Sequence, residues 1–231
     1  MKTLVFALLL LAAGPIFGQK IIQKTLPCSP GQLVNLNLRF GDSIQVRYWD
    51  KPDVSVRISV TINGGKLNDA LLVETSTSGE EVKVSTDFDQ KMLREGKAED
   101  CPDKPGYSRN MYNGDHYSVC SDIDYQVFLP RSARLKVETI NGNIDIKGAS
   151  EAVSAKTISG YVDMSWPTAK GVNLAMKTIT GEVYSDLDID FKGKKQQHPI
   201  VGYLLEGAAN GGGPVVRLES ISNNIYLRKT K

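Results

Sequence analysis

The segment LKVETINGNIDI, residues Leu135 to Ile146, is the clearest guide to the architecture, because three more copies of it follow along the chain. The copies align without gaps and read VSAKTISGYVDM (153–164), LAMKTITGEVYS (174–185) and VRLESISNNIYL (216–227). Each copy has two alternating apolar positions, a Thr or Ser, an Ile, a small polar residue, a Gly or Asn and then, two residues later, an Ile or Val. We expect the copies to stack as parallel rungs in which equivalent residues form columns.

Apolar and polar positions alternate within each copy, as in a β-strand that buries one face. The β-branched position after the turn suits a packed, inward-facing surface. The expected inward columns are Leu135, Val153, Leu174 and Val216; Val137, Ala155, Met176 and Leu218; and Ile144, Val162, Val183 and Ile225. Ile140, Ile158, Ile179 and Ile221 should form a further column, and the charged residues Glu138, Lys156, Lys177 and Glu219 a solvated one.

The turn of each copy carries a residue type that adopts a left-handed backbone easily. These residues, interpreted as the corners of the stack, are Gly142, Gly160, Gly181 and Asn223. Their spacings of 18, 21 and 42 residues, the last being twice 21, favour a solenoid with a period near 20. Two alternatives stay open, a β-hairpin in each repeat with the glycine at its tip and a meandering antiparallel sandwich.

The sequence therefore predicts an all-β protein, a β-solenoid-like stack of short single-strand repeats with a β-rich N-terminal half. In that half, RFGDSIQV (39–46) is a loose copy of the repeat, shifted in register by one residue. Two segments, 87–121 and 187–213, interrupt the pattern and are predicted to be loop insertions. A degenerate rung near Gly202 is the alternative for the second of them.

The first 18 residues predict a secretory signal peptide, because a lone Lys2 precedes a short apolar run from Leu4 to Ala13. Residues 19–231 then form a single domain. The run is too short to span a bilayer, so we expect no membrane insertion once the signal is removed. The formal net charge is +2, from 28 basic and 26 acidic residues of mixed order, and this balance predicts no nucleic-acid partner.

Three cysteines follow the signal segment, Cys28, Cys101 and Cys120. Export to an oxidising compartment favours a disulfide. Cys101 and Cys120 bracket a segment rich in Pro, Gly and Asn that cannot hold itself by packing, so we predict that these two are bonded and that Cys28 is free. The spacing fits neither a CxxC redox motif nor a Cys/His metal site.

The order GDSIQVRYWDKPDV, YQVFLPRSARLKVETINGNIDIKG, KTISGYVDM and KTITGEVYS resembles the bacterial putative-adhesin domains of unknown function, exported β-repeat proteins that are sometimes called toast-rack-like. The resemblance covers about residues 32–227 and is most specific over residues 129–185. It implies a β-solenoid-like, non-enzymatic envelope protein. The two insertions depart from the family pattern.

Few residues suggest chemistry. Asp186, Asp188 and Asp190 alternate along one strand and could offer oxygen ligands to a hard cation, but such alternation is also typical of a solvated strand face, and no calcium-binding repeat accompanies it. The two histidines, His116 and His198, lie in predicted loops, so neither suits a catalytic triad. The glycine run at 207–213 lacks the lysine of a phosphate-binding loop. We predict no catalytic residue, no cofactor and no metal.

The sequence thus predicts an exported scaffold, located in the periplasm, on the cell surface or in the medium, that binds an unknown envelope protein or a glycan. A carbohydrate-active β-helix enzyme is the alternative, since such enzymes line one exposed face with charged residues as the Glu138 column does. An envelope-stress sensor or accessory domain is a third possibility.

Overall fold

β-strands carry the alternating segments of the sequence in this computed structural model, which describes residues 18–101, 108–112, 115–192, 202 and 204–230. The strands are β1 (Lys20–Pro27), β2 (Leu33–Leu38), β3 (Phe40–Trp49), β4 (Asp53–Ile62), β5 (Leu71–Thr77), β6 (Glu81–Phe88), β7 (Ser108–Tyr112), β8 (Asp115–Val119), β9 (Ser121–Pro130), β10 (Arg134–Lys147), β11 (Val153–Ser159), β12 (Val162–Pro167), β13 (Val172–Thr178), β14 (Val183–Ser185), β15 (Asp190–Phe191), β16 (Leu204–Ala209), β17 (Val215–Ser220) and β18 (Ile225–Thr230). One short helix, α1 (Gln90–Leu93), and three 3-10 turns (Asn63–Gly65, Asn68–Ala70 and Ala98–Asp100) complete the regular structure of these residues. The all-β class is confirmed.

The predicted signal peptide lies outside the described residues, apart from Gly18. None of the helices in the described ranges has the length and apolar character that crossing a bilayer requires.

Sixteen of the strands form one large sheet, and β7 and β8 form a separate hairpin. Strand β10 joins the two parts of the sheet, because its first half pairs with β2 and β11 while its second half pairs with β3 and β12. Two ladders of strands therefore meet along β10. The first ladder runs β5-β6-β2-β10-β11-β17-β13-β16-β15, and the second runs β1-β4-β9-β3-β10-β12-β18-β14. Side chains of both ladders pack into one core, as with Val137 and Ile146, which are fully buried.

The four repeats pair in parallel and in register, as the alignment predicts. In the first ladder Leu135 lies opposite Val153, and Val216 lies opposite both Val153 and Leu174. In the second ladder Ile225 takes the equivalent place between Val162 and Val183. The two strands of a repeat pair with other repeats and not with each other, so the hairpin alternative is wrong.

The order of the repeats in space differs from their order along the chain. The fourth copy, β17 and β18, lies between the second and the third in both ladders. A solenoid in which each turn rests on the preceding one is therefore not confirmed, and the sheet is open. Chain order would place Lys156 beside Lys177, whereas Glu219 lies between them here and its carboxylate is 3.6 Å from the Lys156 ammonium. Opposite charges on neighbouring strands stabilise this order.

The loose N-terminal copy joins the same stack. Ile44 of β3 lies opposite Ile144 of β10, and the register shifts by one residue between the pairs made by Asn141 and Asn143. This bulge absorbs the one-residue offset seen in the sequence.

The two predicted loop insertions both contain strands. Segment 187–213 includes β15 and β16, and β16 pairs antiparallel with β13, placing Ala209 opposite Val172 at the edge of the first ladder. Alternating residues of β16 face the core, which gives it a buried side and makes it a strand instead of a loop or a parallel rung. Segment 87–121 holds α1 and the β7–β8 hairpin.

Candidate functional site

The predicted corners lie where each repeat passes from the first ladder to the second. Gly142 and Gly160 have φ angles of +136° and +153°, which favour glycine, but φ is not positive at Gly181 or Asn223. There is a second reason for glycine at these corners, namely that the backbone of the neighbouring repeat approaches closely. A Cβ on Gly160 would lie 2.1 Å from the Gly142 carbonyl oxygen, and a Cβ on Gly181 would lie 2.2 Å from the carbonyl oxygen of Asn223. Only hydrogen fits in these spaces.

A column of buried hydroxyls tightens the same corners, and the repeat pattern alone assigned no role to the Thr or Ser of each copy. Thr157 Oγ1 donates to the Gly142 carbonyl at 3.0 Å, and Ser220 Oγ donates to the Gly160 carbonyl at 2.8 Å. Thr178 Oγ1 binds the Asn223 carbonyl in the same way at 2.8 Å. Each hydroxyl thus satisfies a carbonyl group of the neighbouring repeat.

We expect Thr157→Val to lower the free energy of unfolding by about 1–2 kcal/mol, because valine has the same shape but leaves the Gly142 carbonyl without this donor. Urea denaturation measures the difference. The control is Thr180→Val, since Thr180 is exposed on the same kind of turn, and its loss should be within about 0.5 kcal/mol. Equal losses for the two variants would contradict a structural role for the hydroxyl column.

The predicted disulfide between Cys101 and Cys120 is present, with a Cα–Cα distance of 5.9 Å. Cys28 is free and buried. Burial raises the pKa of the Cys28 thiol, which keeps it protonated and makes it a poor nucleophile. The free thiol is therefore part of the core.

The remaining chemical candidates are not brought together. Asp186 accepts a hydrogen bond from the Lys229 backbone N–H at 2.6 Å. Among the described residues no three His, Cys, Asp or Glu side chains are grouped so as to hold a metal ion. His116 belongs to β8, and His198 lies outside the described residues.

Three tyrosines from neighbouring repeats form the most distinctive surface cluster, on the outer side of the second ladder. The rings of Tyr184 and Tyr226 are stacked, with centroids 5.3 Å apart and an interplanar angle of 10°. Tyr161 meets Tyr226 edge to face, at 6.2 Å and 80°. Tyr184 lies on β14, which pairs only with β18 among the described strands, and its side of the stack is exposed. The cluster therefore ends in an aromatic ring that solvent can reach.

Charged and amide side chains are fixed around these rings. Arg228 Nε donates to both carboxylate oxygens of Asp163, at 2.9 and 3.0 Å, and its guanidinium carbon lies 5.1 Å from the Tyr226 ring centre. Asp163 raises the pKa of Arg228, which therefore stays charged. In the part of the chain that the structure describes, no group accepts a hydrogen bond from the two terminal nitrogens of this arginine. They remain available as donors in a fixed position.

The Tyr184 hydroxyl donates to the Glu182 carboxylate, and this hydrogen bond raises the pKa of the tyrosine. Asn224 donates from Nδ2 to the Tyr226 hydroxyl at 3.0 Å. We call the whole group the tyrosine face, and its residues are Tyr161, Asp163, Glu182, Tyr184, Asn224, Tyr226 and Arg228. It combines aromatic surface with oriented donors and acceptors on paired strands, groups of the kind that contact polar ligands.

The sequence contained one signal for the tyrosine face. Asp145, Asp163, Tyr184 and Tyr226 occupy the same repeat position, between two inward-facing residues, and therefore share a column. From the sequence we considered the outward-facing position in the first strand of each repeat. We missed the outward-facing position in the second strand, which carries these residues. The contact of Tyr161 with Tyr226 also depends on the displaced fourth copy, which chain order does not predict.

No protein-family profile matches this sequence, and no curated protein matches it. Solved structures match this chain at low sequence identity. A putative cell adhesion protein from Clostridium sporogenes is 12% identical, with 91% of this chain and 100% of that chain covered and a TM-score of 0.49. A putative adhesin from Bacteroides fragilis is 10% identical, with 94% of this chain and 100% of that chain covered and a TM-score of 0.28.

A putative lipid binding protein from Parabacteroides distasonis is 10% identical, with 93% of this chain and 97% of that chain covered and a TM-score of 0.23. Two of these three proteins are named as adhesion proteins.

Proposed function

We propose that this chain is an exported, non-enzymatic protein of the cell envelope that binds a glycan through the tyrosine face, with its repeats serving as a β-solenoid-like scaffold. The observation that carries the proposal is the exposed Tyr184–Tyr226 stack beside the Asp163–Arg228 pair. The apolar face of a sugar ring packs on an aromatic ring, while its hydroxyls exchange hydrogen bonds with carboxylate and guanidinium groups.

The position of these side chains on paired strands supports binding. Tyr226 and Arg228 lie on β18, two residues apart and on the same side, and Asp163 lies opposite Tyr226 on β12. Strand-borne groups lose little conformational freedom when a ligand arrives, so more of the interaction energy appears as affinity. The same rigidity suits a binding platform better than a site that must close over a substrate.

The apolar run near the N-terminus and the Cys101–Cys120 disulfide support export, since disulfides persist in oxidising compartments. Periplasm, cell surface and medium all satisfy this condition. A glycan is preferred to a protein partner because the tyrosine face presents balanced donors and acceptors around a small cluster of three rings, whereas protein interfaces centre on a larger continuous apolar patch.

The first experiment is a glycan array screened with the purified protein, followed by calorimetry on the glycans that bind. We expect Tyr184→Ala to weaken binding about ten-fold, equal to about 1.4 kcal/mol, because it removes the exposed ring. Tyr184→Phe keeps the ring, loses the hydrogen bond to Glu182 and should retain most of the affinity. Melting temperatures of both variants check that the fold is unchanged.

Two results would refute the proposal. Tyr184→Ala could bind the selected glycans as tightly as the wild type, which would place the binding site elsewhere. Incubation with these glycans could instead release shorter products, and this would identify the carbohydrate-active enzyme that the sequence left as the alternative.

A further inference from the structure

The outer side of the first ladder carries a row of isoleucines that the core does not use. Each follows the buried Thr or Ser of its repeat, so its side chain points away from the core. In spatial order the row is Ile140, Ile158, Ile221 and Ile179, and we call it the isoleucine ridge. Ile158 and Ile179 are each 40% exposed, and the other two are partly exposed. Strands β10 and β11, and the residues that directly follow β17 and β13, thus present a continuous apolar strip to solvent.

A row of charges runs beside the ridge, two residues earlier in each repeat, and we call it the charge ladder. In spatial order it reads Glu138, Lys156, Glu219 and Lys177. The signs alternate only because the fourth repeat lies between the second and the third. Ile140, Ile158, Glu138 and Lys156 together line one shallow depression of about 320 Å³, so the ridge and the charge ladder share a surface.

We propose that the ridge and the charge ladder form the interface of a homodimer whose two-fold axis runs parallel to the strands. Such an axis reverses the order of the strands, so that the first strand of one copy faces the fourth strand of the other. Glu138 then faces Lys177 of the second copy, and Lys156 faces Glu219 of the second copy. Every position of the ladder meets its opposite charge, and the four isoleucines of one copy lie on the four of the other.

The next outward column is compatible with this arrangement. In spatial order it reads Lys136, Ser154, Arg217 and Ala175, of which the small Ala175 is buried in the single chain. Under the same axis Lys136 faces Ala175 of the second copy, and Arg217 faces Ser154 of the second copy. No like charges meet, although two of the four residues are basic.

Burial of the isoleucines drives this association, since exposed ion pairs contribute little each. The charges select the orientation, because a wrong register would place like charges together. The inference does not depend on the tyrosine face, which lies on the outer side of the other ladder.

Sedimentation velocity over a wide range of protein concentrations tests the dimer. We expect the wild type to associate reversibly. Lys156→Glu and Glu219→Lys should each raise the dimer Kd by at least about ten-fold, because by symmetry each change affects two contacts. Ile158→Ser should weaken the dimer similarly. Lys147→Glu, the same charge change at an exposed lysine of the second ladder, is the control and should leave the Kd unchanged.

Mixing the two charge variants separates association from folding. In a mixed dimer the glutamate introduced by Lys156→Glu in one chain faces the lysine introduced by Glu219→Lys in the other, and we expect affinity near that of the wild type. Mixing cannot repair the Lys156–Glu219 contact within either chain, so a change in stability alone would not be rescued. The proposal fails if the wild type stays monomeric at its solubility limit, if Lys156→Glu associates like the wild type, or if mixing restores nothing.

Discussion

Gly160→Val is expected to lower the free energy of unfolding by about 3 kcal/mol or more, the largest effect we predict for a single substitution. Two costs combine. A φ of +153° is strained for any residue with a Cβ. The Cβ would also lie 2.1 Å from the Gly142 carbonyl oxygen, so the two repeats must move apart at the corner. Chemical denaturation monitored by tryptophan fluorescence measures the loss, with Trp166 as a buried reporter of the same repeat.

Lys156→Ala serves as the control in the same repeat, measured in dilute solution so that self-association does not contribute. Lys156 contacts Glu219 on the solvated side, and such pairs contribute little. Its loss should stay within about 0.5 kcal/mol. If Gly160→Val proved as stable as the parent, the glycine column would have no structural role at the corners.

Replacing both Cys101 and Cys120 with serine is expected to cost about 3 kcal/mol, the second large effect. The bond closes a loop with a sequence separation of 19 residues, and removing it returns to the unfolded chain the entropy that the closed loop had lost. Thermal or urea unfolding under non-reducing conditions measures the difference.

Reduction provides the matched control for the disulfide variant. In the presence of a strong thiol reductant the wild type should lose the stability that the bond provides. It should then unfold at the same denaturant concentration as the double-serine variant. If the variant and the oxidised wild type unfolded at the same denaturant concentration, the bond would not stabilise the fold.

The repeat alignment predicted the columns well, because period-two burial is a local property of each strand. Val153 and Val216 could be assigned to one inward column from sequence alone. The neighbours of each repeat could not be assigned in this way. The sequence of a repeat determines its register against a neighbouring repeat, but not which of the other repeats that neighbour is. The charges of Lys156, Lys177 and Glu219 did indicate the spatial order of the repeats, because stacking in chain order would have placed the two lysines on neighbouring strands.

Other features depended on contacts that a single strand does not reveal. The closest constraint on Gly160 and Gly181 is the carbonyl of a neighbouring repeat, which explains why Gly181 is glycine without a positive φ. The antiparallel strand β16 was missed because its alternation is short and weak, built on Leu205, Gly207 and Ala209. The tyrosine face was missed because its residues come from three different copies.

The displaced fourth repeat also determines when the C-terminal half can become ordered. Strands β13 and β14 are made before β17 and β18, yet they pair with those later strands, and β16 pairs in turn with β13. The third copy therefore cannot pair with the part of the sheet that has already formed while the chain is still being synthesised. It must wait, with apolar residues such as Leu174 and Met176 unpaired, until residues some 40 positions further on arrive. Loops of this length slow folding and prolong the exposure of unpaired strands, so the final strands of this chain act as the closing step of its assembly.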